Sequence, residues 1–258
     1  MIVSAEQIAF AHQLAEASAA VIRPYYRSGL AIDDKSDSSP VTQADREAEL
    51  AMRALINQLR PQDGIIGEEF GAERDDADWV WVLDPVDGTK AFITGRPMFV
   101  TLIGLLYRGQ PVLGVINQPI ANERWVGVVG QGCTLNDQPI SVSDIRDFSR
   151  ARVGTTGPQY FSDSGCAAFM QLQQGGRFTV YGGDGYQYAL VATGGLELVV
   201  EEGLKLHDFA AVAPVVIAAG GLMTDWQGQP LTRSSSGRVI AAATPEVYQA
   251  ALQAMQAA

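Results

Sequence analysis

The sequence predicts a layered fold that mixes helices with sheets, in the α/β (α+β) class, and three observations carry this. Two N-terminal stretches repeat apolar residues at helical spacing. Residues 98–129 read as short strands separated by Gly and Pro, the signature of an antiparallel meander. From residue 151 onward strands and helices alternate, a pattern that packs helices against a sheet. The style changes near 140–150, so an N-terminal α+β subdomain of 1–145 and a C-terminal α/β subdomain of 146–258 are expected. With no linker and no internal repeat, the two should pack tightly. A length of 258 residues suits one large domain or two small ones sharing an interface.

Each element has a local reason. Ser4 followed by Gln7 forms a capping-box pattern, and Ile8, Ala11, Ala15, Ser18 and Ile22 then recur at helical spacing, predicting an amphipathic helix over 4–28. KSDSSPVTQAD (35–45) is a polar loop. A second helix is expected from Thr42 to Leu59, with Ala44, Ala48, Ala51, Leu55 and Leu59 on its buried side and Pro61 as its stop. Ile65-Ile66 is a short strand ending at Gly67-Glu68-Glu69, and Trp79 to Leu83 is a strand that stops at Asp84. Strands at 98–107, 112–117 and 124–129 follow, and Asn136-Asp137 reads as a tight turn. The second half predicts strands at 151–155, 178–181 and 196–201, helices at 163–173, 185–193 and 208–219, two short strands, and a final helix over 246–256. Pro214 should kink the 208–219 helix.

Composition narrows the function. Hydrophobic residues make up 47% of the chain, yet no apolar run reaches the roughly 20 residues of a membrane helix. The opening MIVSAEQIAF lacks a basic region followed by an apolar core, so a secretory signal is not expected. Two cysteines, Cys133 and Cys166, are far apart and read as packing residues of a reduced, cytoplasmic protein. A formal charge of −11 argues against nucleic-acid binding. It also means that an anionic substrate must be attracted by something other than Lys and Arg. Zinc is not expected without clustered His or Cys. GGDG and TGG lack the spacing of a nucleotide-binding loop.

The acidic residues fall where apolar elements stop. Glu68 follows GIIG, Asp84 follows WVWVL, Asp87 comes one turn later, Asp208 opens DFAAVAPVVIAA, and Asp45 lies near the start of the second helix. A charge beside a buried strand end is costly unless paired. Basic partners are few in these stretches, and carboxylate and carbonyl oxygens suit a hard divalent cation. Pro85 fixes its own φ and extends Asp84, so the turn can bring the Asp84 carboxylate, the Val86 carbonyl and the Asp87 carboxylate toward one point. Gly88 allows close backbone approach, and a helix after it would aim the Gly88 and Thr89 amides at a phosphate oxygen. Each residue alone has an ordinary reading: Asp84 and Asp87 as turn formers, Asp208 as a helix cap, Glu68 as a surface charge, Asp45 as a first-turn acid. Turn formation does not require the whole DPVDGT string.

GEE (67–69), DPVDGTKAF (84–92), LHDFAA (206–211) and the K-x-D-x-x-x-V-T-x-A-D loop (35–45) together resemble the inositol monophosphatase family of Mg²⁺-dependent phosphatases, most of all its histidinol-phosphatase branch. YGGDGYQYALVATGGLELVVEEGLKLHD resembles that branch in the second half. The usual W-D pair is His207-Asp208 here, which alters packing beside the last acid. The resemblance implies the layered αβαβα sandwich of the inositol monophosphatase / fructose-1,6-bisphosphatase type. It implies a first Mg²⁺ on Glu68, Asp84 and the Val86 carbonyl, a second on Asp84, Asp87 and Asp208, and a third, weaker ion near Glu68, with Mn²⁺ able to substitute. Asp45, Glu68 and Thr89 form the implied catalytic set, Thr89 and Asp45 orienting or deprotonating the attacking water. Gly88 and Thr89 amides hold the phosphate, with Asp87 and Asp208 beside it, and Gly183, Asp184 and Glu201 line the pocket for the alcohol. A homodimer is also implied.

Two or three divalent ions would bind phosphate oxygens, lower the pKa of a water and neutralise the departing alkoxide, which suits in-line attack with no covalent intermediate. Only His12 and His207 are present, neither beside a serine or cysteine nucleophile. His12 reads as a helix-surface residue and His207 as a neighbour that places Asp208. Carboxylates at 184 and 201 favour a substrate with an ammonium and an imidazole, so histidinol phosphate is expected over inositol phosphate. The alternatives are a relative acting on inositol phosphate, fructose 1,6-bisphosphate or a 3′-phosphonucleotide, and a metal-dependent binding protein without turnover. Lys90 and Arg96 flank the motif without an assigned role.

Overall fold

The computed structural model describes residues 3–29, 32–34 and 40–256, so Lys35 to Ser39 of the N-terminal loop motif lie outside the described residues. Helix α1 (Ala5–Tyr25) starts on Ser4, whose side chain accepts from Gln7 N–H while Gln7 returns to the Ser4 amide, the reciprocal cap that its sequence predicts. It ends at Tyr25, one residue beyond Pro24, short of the expected residue 28. Two short strands, β1 (Ile32–Asp34) and β2 (Pro40–Thr42), pair antiparallel and lead into α2 (Gln43–Leu59).

The buried face of α2 differs from the expected one. Ala44, Asp45, Ala48, Glu49, Met52, Arg53 and Ile56 are buried, while Leu59 is 52% exposed. The stripe is turned by about one residue because three charged side chains on it find partners inside the protein. Apolar periodicity scores such residues as solvent-facing.

The first sheet has eight strands: β3 (Gly64–Gly67), β4 (Gly71–Glu73), β5 (Trp79–Asp87), β6 (Val100–Tyr107), β7 (Gln110–Gln118), β8 (Glu123–Val128), β9 (Gly132–Leu135) and β10 (Gln138–Ile140), in the order β10-β9-β8-β7-β6-β5-β3-β4. From β5 to β10 it is the expected antiparallel meander, and β3 joins β5 in parallel. The β9–β10 turn is Asn136-Asp137, both at positive φ (47° and 64°), the turn geometry that Asn and Asp tolerate. Between β5 and β6 lies the short helix α3 (Thr89–Ile93).

The second sheet contains β11 (Arg152–Thr155), β12 (Phe178–Tyr181), β13 (Leu198–Glu201), β14 (Leu222–Thr224) and β15 (Val239–Ala242), in the order β12-β11-β13-β15-β14. Helices α4 (Asp163–Gly175), α5 (Tyr186–Ala192), α6 (Leu206–Phe209), α7 (Val212–Ala218) and α8 (Pro245–Met255) complete the chain. The single helix expected over 208–219 is two. Pro214 cannot donate to the carbonyl four residues back, Ala210, and the break falls at Ala210-Ala211.

Five layers result. Helices α1 and α2 cover one face of the first sheet, with Phe10, Leu14, Met52 and Ile56 buried against Trp81, Ile103 and Val115. Helices α5 and α7 lie between the sheets, where Tyr188, Val191, Val212 and Val215 meet Leu102, Ile116 and Val199. Helices α4 and α8 cover the far face of the second sheet with Phe169, Leu172, Val247 and Ala251. This is the αβαβα order implied by the resemblance. Gly114 shows how close the layers come: a Cβ there would sit 1.8 Å from the Ala211 carbonyl oxygen of the middle layer.

Candidate active site

The acidic strand does not stop at Asp84. β5 continues through Pro85 to Asp87, but its register against β6 shifts: Asp84 faces Leu102 and Asp87 faces Val100. Three steps on β5 match two on β6, a bulge. In a regular strand residues three apart point to opposite faces. The extra residue resets that parity, and Asp84 and Asp87 come together. Pro85 is suited to the bulge because it has no ladder N–H to lose. Its carbonyl accepts from Thr101 Oγ1 at 2.8 Å.

Asp208 reaches the same place from α6. Its Oδ2 accepts from the Lys205 amide at 2.6 Å, a capping bond, and its Oδ1 lies 3.6 Å from His207 Nε2. Asp84, Asp87 and Asp208 each present an oxygen within 4.8 Å of the others, and Glu68, Asp84 and His207 form a second such group. His207 therefore offers a ring nitrogen to the cluster besides standing next to Asp208.

Electrostatics make this cluster unfavourable without a cation. Burial, then the charges of Glu68, Asp87 and Asp208, push Asp84 well above the usual carboxylate range. Burial, then Asp184 and Asp208, do the same to Asp87. Asp208 and Asp184 are raised as well, chiefly by burial. Asp84 Oδ1 is buried with no hydrogen-bond partner. An orphaned carboxylate oxygen among converging acids fits a hard divalent ion, for which all-oxygen donor sets are suited.

The flanking residues are placed by local chemistry. Gly88 takes φ 86° and starts α3, a left-handed conformation in which a side chain is strained. A Cβ there would also lie 3.0 Å from Asp184 Oδ2. The Thr89 hydroxyl donates to the Val86 carbonyl at 3.0 Å and lies 3.5 Å from Asp45 Oδ1. Asp45 caps α2, accepting from the Thr42 amide at 2.9 Å and hydroxyl at 2.5 Å, and burial raises its pKa. Asp87 accepts from the Gly185 amide, tying the bulge to the start of α5. Glu201, at the end of β13, accepts from the Thr156 amide at 2.5 Å and from Thr155 Oγ1 at 3.3 Å, and burial pushes it up to about 7.

A cavity of about 250 Å³ opens over these groups. Of the residues expected in the site, Glu68, Asp87, Gly88, Thr89, Asp184, Glu201 and Asp208 lie on its wall. Asp45, Asp84, Val86 and Gly183 are buried and off the wall. The wall also carries Lys90, Thr156, Tyr160, Tyr188, Glu202 and Leu204. His12 is remote and half-buried on α1, its Nδ1 3.4 Å from Arg124.

One supporting network escapes sequence reading. Glu49 on α2 accepts from the Glu69 amide at 2.8 Å and the Phe70 amide at 3.2 Å, and pairs with Arg53 at 2.7 Å. Arg53 continues to Glu73 at 2.7 Å and to the Gly71 carbonyl. This holds the turn that presents Glu68. A Cβ at Gly67 would sit 1.9 Å from Glu49 Oε1, so a side chain there would displace the Glu49–Arg53 pair from the turn. The four-residue spacing of Asp45, Glu49 and Arg53 was the available signal.

The profile described as the Inositol monophosphatase family matches residues 4–258. A bifunctional phosphatase IMPL2, chloroplastic, of Arabidopsis thaliana is 45% identical over 96% of this chain and 74% of its own length. A histidinol-phosphatase of Chlorobaculum parvum is 36% identical over 89% of each chain. The solved structure of an inositol monophosphatase from Zymomonas mobilis superposes with a TM-score of 0.90 at 49% identity, covering 98% of this chain and all (100%) of that one.

Proposed function

Because the chain belongs to the inositol monophosphatase family, we propose that it is a phosphoric monoester hydrolase whose substrate is histidinol phosphate. One observation carries the substrate choice. Among the described residues the cavity wall holds Glu68, Asp87, Asp184, Glu201, Glu202 and Asp208 against a single basic side chain, Lys90. Once the innermost acids are committed to cations, Asp184 remains to attract an ammonium on the leaving group. The likeness to a histidinol-phosphatase of Chlorobaculum parvum supports the same reading. The second reading, an inositol phosphate, is favoured by the likeness to the Zymomonas mobilis structure.

In this reading Glu68, Asp84 and the Val86 carbonyl would hold one Mg²⁺ and Asp84, Asp87 and Asp208 another, with a third, weaker ion near Glu68. Bound there, the ions supply neutralisation of the phosphate and a lower pKa for the attacking water. The chain's own groups do the rest. Thr89, whose hydroxyl rests on the Val86 carbonyl with Asp45 Oδ1 3.5 Å away, turns its proton from that carbonyl to Asp45 as its oxygen takes one from the water, and the raised pKa of Asp45 suits it as the base. The Gly88 and Thr89 amides at the start of α3 hold a phosphate oxygen. Asp184 binds the ammonium, and Glu201, fixed by Thr155 and Thr156, stiffens the wall behind it. From the family resemblance we propose a homodimer, and from the two free cysteines, Cys133 and Cys166, a reducing, cytoplasmic compartment.

Phosphate release from histidinol phosphate and from inositol 1-phosphate, in Mg²⁺ and with chelator, tests this. A preference for histidinol phosphate that chelator abolishes is expected; equal or better turnover of inositol phosphate would reject the substrate. Asp184→Asn should raise KM for histidinol phosphate about tenfold, the loss of a charge-assisted bond, and leave glycerol 2-phosphate nearly unchanged.

A further inference from the structure

The outer rim of the cavity is built from elements that the acidic cluster does not use. The 3₁₀ turn Pro158–Tyr160 follows β11, and the loop Gly203-Leu204 follows β13. The loop approaches the turn closely enough that a Cβ at Gly203 would lie 3.8 Å from the Tyr160 carbonyl oxygen. Tyr160 is 41% exposed, and both it and Leu204 belong to the wall. Lys90, on α3, donates to the Tyr160 hydroxyl at 2.7 Å, its nitrogen 5.1 Å from the ring centroid. The bond joins two residues of the cavity wall and orients the phenol ring.

We propose that Tyr160, oriented by Lys90 on a wall it shares with Leu204, is a specificity-determining residue that packs against the planar ring of the leaving group. This rests on the histidinol phosphate reading and extends it. The chemistry of the substrate sets the order of its parts. Its ammonium-bearing carbon is one carbon from the ester oxygen, so the ammonium must sit close to the phosphate. Asp184 is in that position, its Oδ2 3.0 Å from where a Gly88 Cβ would lie. The imidazole branches from the same carbon through a methylene and must point away from phosphorus, toward the rim. The wall there carries an exposed aromatic side chain, Tyr160, and the apolar Leu204, surfaces suited to a flat ring. The ammonium of Lys90 at the phenol edge favours the neutral imidazole over a second full cation.

The test compares histidinol phosphate with ethanolamine phosphate, which keeps the ammonium and lacks the ring. Tyr160→Ala should raise KM for histidinol phosphate about five- to tenfold, as expected for loss of an aromatic contact, with kcat little changed. Ethanolamine phosphate should lose less than about twofold. Tyr160→Phe keeps the ring and should restore most of the KM, with a small deficit from the lost bond to Lys90. Equal losses on both esters, an unchanged KM in Tyr160→Ala, or a Phe variant as poor as the Ala variant would overturn the inference. Wild-type protein that hydrolyses other monoesters but not histidinol phosphate would sink the substrate reading and this inference with it. Turnover that is intact while Tyr160→Ala has no effect would sink this inference alone.

Discussion

At the scale of single residues, Asp84 is the point where the acidic groups meet. It belongs to both clusters of potential metal ligands and has an orphaned buried oxygen. Its carboxylate is costly in the metal-free fold, and in the proposed mechanism it holds the ions. Asp84→Asn should therefore lower phosphate release in Mg²⁺ by about a hundredfold or more, since several kcal/mol of charge stabilisation depend on the ions. The same substitution should raise the melting temperature in chelator, because it removes one of several mutually repelling charges. A melting curve in chelator that falls instead would show the cluster is not strained by like charges. Asp84, Asp87, Thr89 and Glu68 were legible from sequence because DPVDGT and GEE are local strings. The way Asp84 and Asp87 come to face together was not. A turn was expected, and a register shift inside the strand accomplishes it, because pairing with β6 decides where the ladder skips.

At the scale of elements, α2 does more than cover the sheet. Its buried Asp45, Glu49 and Arg53 reach Thr89 and the turn carrying Glu68. Both members of the Glu49–Arg53 pair are 5% exposed or less, so removing one leaves a buried charge uncompensated. Glu49→Ala should cost about 3 kcal/mol in urea unfolding. It should also weaken Mg²⁺ activation, read as a higher half-saturating Mg²⁺ concentration, because the turn carrying Glu68 loses two hydrogen bonds. A loss of stability with an unchanged Mg²⁺ requirement would separate α2 from the site. The helix itself was easy to find from its spacing and Pro61, yet its buried face was mistaken by one residue. Apolar periodicity records which side chains avoid water. It does not record that a charged one has an ion partner waiting in the next layer.

At the scale of the whole molecule, the site lies where both sheets and the middle helical layer meet, and its stability should report on pH and metal together. Asp84, Asp87, Asp184, Asp208 and Asp45 all have raised folded-state pKa values, and Glu201 reaches about 7. Between the ordinary carboxylate range and those raised values the folded chain binds more protons than the unfolded one. Metal-free stability therefore falls as pH rises through that window, for Glu201 from the model-peptide region near 4.5 to about 7. The melting temperature in chelator should be higher at pH 5 than at pH 7.5, and the gain on adding Mg²⁺ should be larger at pH 7.5, where fewer of the carboxylates must lose a proton to bind it. Equal Mg²⁺ gains at the two pH values would contradict the assignment of these carboxylates to the ions.

By itself the sequence determined what depends on neighbours along the chain: the capped helices, the meander, the acidic strings and the oxygen-rich chemistry they announce. Only the tertiary structure decided that a bulge in β5 turns Asp84 and Asp87 together, that Glu49 steadies the turn carrying Glu68, and that Tyr160 and Leu204 share the cavity wall. The physical reason is that backbone preference and hydrophobic spacing act over a few residues. Which charge finds which partner depends on how five layers stack, and that is set by packing between residues far apart in the chain.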